Sequence, residues 1–424
     1  MKSIYNAVIT PLLYLGFHIL GLFSEKVRKG IRGRKRLLPT ISEELSHING
    51  EKIWFHIASY GEFEQAKPLI AKIKEQYPQY ALIVSFFSPS AYENIKLAPP
   101  VDYICYLPFD SQKNARKFIS VVQPKLAVFV RHDIWPNFIW VLNKKRIPVV
   151  LIDASIPKDS SRFWPLMRQF NSALFNSFDA IFLTTEDEKE RFERLDVASN
   201  KLYVTGDTKF DQVYHRTLET GKTSDLSKHA YIRQKTKWIA GSSWRADEEV
   251  IIPAFQRLSG SFDDLLLVIV PHEPSPNRLT EIESRLNKHK IQHIRYSELT
   301  PQSTGFGALV VDKIGMLANL YGLGKIAFVG GSFESKVHNV LEPAVYGIPI
   351  LIGPRINTQA EALLLANHEA ALIVESTDEM VEKISTLLKN DQLSANIGNA
   401  AKEIVFKHVG ATDRITKSLS PFIY

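Results

Sequence analysis

The stretch from Phe328 to Pro354, FVGGSFESKVHNVLEPAVYGIPILIGP, constrains the fold more than any other part of this chain. An apolar run ends in Gly330-Gly331 and a short polar loop follows. His338-Asn339 then opens a predicted helix carrying Glu342-Pro343, and Gly347 leads into a second apolar run. Strand, glycine turn, helix and strand make the βαβ unit whose strand ends hold nucleotides or sugars. The three-residue spacing of Asn339 and Glu342 puts both side chains on one helical face, near its start. They suit the two vicinal hydroxyls of a ribose, or a base edge. An acid at that position means that more than phosphate is recognised.

A chain of 424 residues exceeds one ordinary core, which predicts two domains. Hydrophobic residues at 45% and charged residues at 23% are those of a globular protein and exclude a disordered or fibrous chain. The net charge of +7 favours anionic partners without naming them. Cys105 is the only cysteine, which excludes an internal disulfide and a cysteine-cluster metal site and fits a reducing compartment.

The N-terminus carries a second constraint. From Ile4 to Phe23 there is no charge, and the stretch is rich in Leu, Ile, Phe and Tyr. About 20 such residues suffice to cross a bilayer. The run Lys26–Arg36 follows, dense in Lys and Arg. Cations after an apolar segment favour a cytoplasmic location for what comes next and attract anionic head groups. A cleaved signal peptide has the opposite order, cations first. The segment is therefore expected to associate with a membrane, spanning it or lying in its interface. The alternative is an amphipathic helix packed on the domain.

The rest alternates between short apolar runs and helical patterns. Ile53–Ala58, Ala81–Phe86, Leu126–Val130, Val149–Asp153, Ala180–Leu183 and Leu202–Val204 are predicted strands, with helices over Glu62–Gln76 and Trp135–Lys145 among them. Thr185 with Glu188 has the spacing of a capping box. A polar, aperiodic stretch at Thr217–Lys228 reads as a linker. Beyond it, Trp238–Gly241, Leu265–Val270, Leu309–Asp312, Ile326–Val329 and Ile350–Ile352 are predicted strands, and Ala246–Leu258, Arg278–His289 and Gln359–Ala366 helices. Such alternation implies parallel sheets covered on both faces, an α/β class.

Ligands of such sheets sit beyond the carboxyl ends of the strands, so the residues that follow each strand are the candidates. Ser59-Tyr60-Gly61-Glu62 follow the first. Gly61 permits a tight turn. Glu62 stands at a helix start, where the dipole favours an ionised carboxylate and places it as a general base; the alternative is an ordinary N-terminal Glu. Arg131-His132-Asp133 follow Leu126–Val130, and Asp133 either orients a sugar hydroxyl or caps the helix ahead of Pro136. Lys209, in Gly206–Asp211, either neutralises a phosphate or is solvated; the glycine spacing there is not that of a P-loop. Gly241-Ser242-Ser243 offers amides and hydroxyls to an anion, or a plain N-cap. His272 and Glu273 follow Pro271 without the H-E-x-x-H spacing of a zinc site. Gly315 stands at the predicted start of an apolar helix after Asp312.

Taken in order, these segments resemble the Kdo (3-deoxy-D-manno-octulosonic acid) transferases of lipopolysaccharide synthesis over nearly the whole length. The segments are HIASYGE at His56–Glu62, DIWPN at Asp133–Asn137, GDTKFD at Gly206–Asp211 and GSSWRADEE at Gly241–Glu249. VPHEP at Val270–Pro274, DKIGML at Asp312–Leu317, FVGGSF…HNVLEPA at Phe328–Ala344 and IGP at Ile352–Pro354 complete the set. The resemblance implies a GT-B fold, two Rossmann-like domains facing a central cleft, with the hydrophobic membrane-associating segment in front. It implies residues 1–36 as anchor and basic flank, 37–216 as the acceptor domain, 217–228 as linker and 229–424 as the donor domain, with the last helix able to return to the first domain. It implies inverting transfer of Kdo from CMP-β-Kdo to the 6'-hydroxyl of lipid IVA at the cytoplasmic face of the inner membrane of a Gram-negative cell. No cofactor, no metal and no nucleic acid are expected; CMP-Kdo, lipid IVA and anionic inner-membrane lipids are. Glu62 matches the catalytic base. Ser59, Gly61 and Asp133 fall on the acceptor side, and Lys209, Ser242, Ser243, His272, Gly315, Gly331, Ser332, Asn339 and Glu342 on the donor side. His272 stands where the family often has a phosphate-binding arginine, which leaves Arg278 or Lys209 to compensate. Asp133 replaces a Glu, the residues before His338 are not Gly-Gly, and Trp244 stands where many members carry a histidine.

Overall fold

The computed structural model of the protein describes residues 2–95, 97–219 and 225–423. It divides into two compact units, Met1–Gln212 with His408–Tyr424, and Val213–Lys407. Of the linker expected at 217–228, residues 220–224 lie outside the described residues. Among the described residues each unit is built on a seven-stranded sheet, parallel throughout.

The first sheet comprises β1 (Lys52–Ile57), β2 (Ala81–Phe86), β3 (Tyr103–Tyr106), β4 (Pro124–Val130), β5 (Val149–Ala154), β6 (Ala180–Leu183) and β7 (Leu202–Val204), in the order β3-β2-β1-β4-β5-β6-β7. Successive side chains of a strand face opposite ways. Trp54 therefore enters one core layer with Phe118, Phe129 and Phe138, while Phe55 and Ile57 enter the other with Phe63, Phe86 and Leu69. The C-terminal helix Ala411–Ile423 covers that second layer with Ile415, Leu419 and Ile423, all at zero exposure. It is tied down at its start by Asp211, whose carboxylate accepts the amides of Gly410 at 2.6 Å and Thr412 at 2.9 Å. Asp211 in the GDTKFD segment is thus a helix cap.

The second sheet comprises β8 (Thr236–Ser243), β9 (Leu265–Pro271), β10 (His293–Arg295), β11 (Ala308–Val310), β12 (Ile326–Val329), β13 (Ile350–Ile352) and β14 (Leu372–Ile373), in the order β10-β11-β9-β8-β12-β13-β14. In each sheet one strand is flanked by chain running outward in both directions: β1 between β2 and β4, β8 between β9 and β12. That reversal leaves a crevice beyond the strand ends, the position where doubly wound sheets bind ligands.

The N-terminal segment forms one helical run, Lys2–Phe23, long and apolar enough to cross a membrane. It leans on the first unit. The Tyr5 hydroxyl donates to Asp110 at 2.7 Å, Tyr5 stacks on Phe170, and Phe17 packs on Phe87 and Phe109. Its other side shows Leu12, Leu15, Leu20, Leu22 and Phe23 to solvent. The basic run is less uniform than its composition suggests. Arg34 donates to the carbonyls of Leu107, Phe87 and Gly30 and lies over the rings of Phe87, Tyr106 and Phe109. It is part of the fold and is not available to head groups.

Three local expectations change. The helix expected from His338 starts at Leu341 and makes a single turn to Ala344, so His338 and Asn339 lie in the preceding loop. The helix expected from Gly315 starts at Leu317. Thr185 does cap the amide of Glu188 at 3.3 Å, but the Glu188 carboxylate goes to the Ile156 amide instead of closing a capping box.

Candidate functional site

At the β1–β4 reversal the chain gathers ionisable groups. Glu62 is the third residue of the helix Tyr60–Gln76. Its Oε2 accepts the amides of Ala58 at 2.9 Å and Ser59 at 3.2 Å, while the Ser59 hydroxyl accepts the Glu62 amide. This capping box fixes the rotamer of Glu62. Oε1 accepts no hydrogen bond from a described residue and is not sealed from solvent. One oxygen anchors the group, and the other is left facing the site. The helix start was expected to keep this carboxylate readily ionised. Burial instead pushes its pKa up, outweighing the Ala58 and Ser59 amides, and the nearby Asp133 adds to the rise. Gly61 needs no turn conformation: it sits inside the helix, and a Cβ there would meet nothing within 4 Å.

Asp133 accepts from His56 Nε2 at 2.9 Å, and His56 Nδ1 lies 3.0 Å from the Ser85 hydroxyl, which accepts from Trp54 Nε1 at 2.8 Å. Asp133 offers only acceptors, so the arrangement that satisfies every group runs Trp54 to Ser85 to His56 to Asp133. His56 has zero exposure. Its ring holds Asp133 in place, and Asp133 does not cap the helix at Pro136. That helix starts without a side-chain cap.

Arg131, in the left-handed region at φ 59°, donates to Gln65 and, from Nη2, to both carboxylate oxygens of Asp207 at 2.8 Å. Burial alone would raise Asp207. Arg131, then Lys209, outweigh it and hold that carboxylate below its ordinary range. Lys209 sits in the same group, its amide donating to Asp207 at 2.9 Å. His132 is pushed down to about 4 by burial and by Arg131, Arg162 and Lys209, so it is neutral among cations. Ser59, Gly61, Glu62, Asp133 and Lys209 thus all belong to the strand-end region of the first unit.

The second unit has a matching region at the β8–β12 reversal. β8 ends in a bulge at Ser242, φ 51°, where the register with β9 shifts. Gly241 is required, since a Cβ there would lie 2.0 Å from the Tyr321 hydroxyl. Buried Asp247 accepts the amides of Trp244 and Gly331, both at 2.8 Å, and so staples the loop after β8 to the loop after β12. Gly331 has φ 102°, and a Cβ on it would lie 2.2 Å from the Lys336 carbonyl. Asn339 Nδ2 donates to Glu342 Oε1 at 3.3 Å, and Arg216 lies 3.7 Å from the same carboxylate. Asn339 and Glu342 are therefore hydrogen-bonded to each other. Gly315, φ 88°, has open space where a Cβ would be.

Two hydroxyls expected at the donor are committed elsewhere. Ser243, 1% exposed, donates to buried Glu248 at 2.9 Å; Ser332, at zero exposure, accepts the Gly353 amide at 2.7 Å. Neither hydroxyl is left for a ligand. Arg278, expected as one stand-in for the missing arginine, pairs with Glu248 and, at 3.0 Å, with Glu281. His272 is exposed and stacks on Trp244 and on His338, 4.9 and 4.2 Å between ring centroids. No group of three or more His, Cys, Asp or Glu suited to a metal occurs among the described residues.

His56, Arg131, Asp207, Trp244 and Asp247 were not singled out from the sequence. Four of them lie inside the segments that carry the resemblance, and Arg131 stands two residues before one; none has a spacing that distinguishes it from a structural residue.

Residues 29–212 match the family model described as 3-Deoxy-D-manno-octulosonic-acid transferase (kdotransferase). Over 375 residues the chain is 28% identical to the 3-deoxy-D-manno-octulosonic acid transferase of Haemophilus influenzae, covering 88% of this chain and 87% of that one. The enzyme of the same name from Chlamydophila psittaci is 29% identical over 381 residues, 88% of this chain and 86% of that one. Among solved structures, UDP-GlcNAc 2-epimerase from Neisseria meningitidis superposes with a TM-score of 0.65 at 16% identity, over 87% of this chain and all of that one, which speaks for the fold alone. The fold is of the GT-B kind, two Rossmann-like units, and over most of its length the chain is similar to 3-deoxy-D-manno-octulosonic acid transferases, glycosyltransferases of lipopolysaccharide synthesis.

Proposed function

We propose that the protein transfers Kdo, with inversion, from CMP-β-Kdo to the 6'-hydroxyl of lipid IVA, with Glu62 as general base. The observation that carries this reading is the division of labour within one carboxylate. Oε2 is pinned by two backbone amides, and Oε1 is left open at the end of β1. The acceptor oxygen attacks the anomeric carbon of Kdo and its proton passes to Oε1. The bond from that carbon to the phosphate oxygen breaks, its electron pair leaving with CMP. A raised pKa matches a group that must take a proton and release it. Asp133, held by His56, and the Ser59–Gly61 backbone would position the acceptor. Lys209 would set its charge against the donor phosphate as CMP leaves. In the second unit, Asn339 and Glu342 would hold the ribose of CMP, with Ser242, His272, Gly315 and Gly331 around the rest of the donor. The exposed apolar side of Lys2–Phe23 would seat the enzyme in the cytoplasmic leaflet of the inner membrane, among anionic lipids and beside its acceptor.

A nucleotide panel read by thermal unfolding tests the donor. A ligand at about 100 times its Kd adds about 2.7 kcal/mol of stability. CMP is expected to raise the melting temperature and UDP-sugars to leave it unchanged. Protection by UDP-sugars without protection by CMP would overturn the reading.

A further inference from the structure

The loops after β8, β9 and β12 bring together three rings. Trp244 Nε1 lies 2.7 Å from His338 Nε2, and the two ring planes are parallel within 4°. His272 covers one face of this pair. An indole nitrogen only donates, so His338 Nε2 must accept, and the proton of the neutral ring is forced onto Nδ1. Burial, with His272 and Lys336 nearby, pushes His338 down to about 4, which keeps the ring neutral and the tautomer single near neutral pH. Nδ1–H makes no hydrogen bond to a described residue, and it is not a sealed atom. The backbone is shaped around the ring: a Cβ on Gly331 would lie 3.0 Å from His338 Cδ2.

We propose that His338 Nδ1–H is a hydrogen-bond donor to an oxyanion of the sugar-nucleotide donor, and that Trp244 is the positioning residue that locks it in that role. The inference rests on the CMP-Kdo reading and adds to it an anion contact in the second unit, where Arg278 is committed to Glu248 and Glu281. Two oxyanions share this chemistry, the phosphate of the nucleotide and the carboxylate of the sugar. A neutral, pre-oriented donor needs no counter-carboxylate while empty, unlike a buried guanidinium. His272, stacked on the same ring, limits the directions from which the oxyanion can approach.

The test combines binding and spectroscopy on the full chain. Calorimetry compares cytidine and CMP on the wild type and on His338→Ala, alongside the KM for CMP-Kdo. A lost hydrogen bond to a charged group corresponds to roughly a 10- to 100-fold loss. If the phosphate is held, CMP weakens by that factor and cytidine does not. If the sugar carboxylate is held, CMP is unchanged and the KM for CMP-Kdo rises by that factor. If neither moves, the inference is overturned while CMP binding keeps the underlying reading intact; if the wild type binds no CMP, both fall. Imidazole nitrogen NMR provides a readout that folding defects in a variant do not touch. Wild-type His338 should show a protonated Nδ1 and an unprotonated Nε2, with Nδ1 shifting on addition of ligand. In Trp244→Phe the two tautomers should mix, with a partial loss of affinity. A His338 already protonated on Nε2 in the wild type would overturn the assignment.

Discussion

A single carboxylate decides how the first unit is understood at the scale of residues. Glu62 looks like an ordinary helix-start acid, and its amide contacts are those of one. The two amides use only one oxygen, and burial opposes the dipole strongly enough to raise its pKa. A base that must be ionised to act loses activity as pH falls through its pKa. With that pKa raised, the loss on acidification sets in at a higher pH than an ordinary glutamate would give. Asp133 contributes to the rise. In Asp133→Asn the acidic limb of the kcat/KM profile should therefore move to lower pH, even if the maximum rate also falls. A limb that stays in place would detach Asp133 from the titration of the base. The fixed tautomer of His338 is the matching residue-scale device in the second unit.

At the scale of elements, the interior strands were legible from the amino acids because they are buried on both faces. Ala81–Phe86, Ala180–Leu183, Ile326–Val329 and Ile350–Ile352 coincide with β2, β6, β12 and β13. The strands without a signal, β3, β10 and β14, all lie at sheet edges. His293–Arg295 is partly exposed and mixes polar with apolar residues, and Tyr103–Tyr106 is only four residues long with its first two partly exposed, so neither gives a long apolar run. Site residues divided along similar lines. Those after a strand were visible from topology, whereas His56 and Asp247 work through partners distant in sequence, such as Asp133 and Gly331, and a local pattern does not encode those. Asp211 shows the same limit in reverse, because a residue in a family segment turns out to cap the helix Ala411–Ile423. Asp211→Ala should cost about 1–3 kcal/mol, since it leaves two amides without their acceptor. For a unit of this size that corresponds to a drop in melting temperature of about 2–10 °C. Differential scanning calorimetry should show the loss in the transition of the unit containing Glu62; an unchanged scan would mean that the cap is dispensable.

For the whole molecule, the chain combines two Rossmann-like units of the GT-B kind with an apolar helix that rests on the first unit. The composition named neither sugar nor nucleotide. The family resemblance did, because it depends on an ordered set of segments and not on any one of them. Removing residues 2–23 should abolish co-sedimentation with vesicles containing anionic lipid and leave CMP binding in place; retained sedimentation would move membrane attachment to another surface. The most direct test of the account is the mass of the lipid product. Wild-type protein incubated with lipid IVA and freshly prepared CMP-β-Kdo should yield lipid heavier by whole Kdo residues. Glu62→Gln should bind CMP as the wild type does and yield about 100- to 10,000-fold less product per unit time. Lipid of unchanged mass from the wild type would contradict the assigned transfer, and undiminished product from Glu62→Gln would remove Glu62 from its centre.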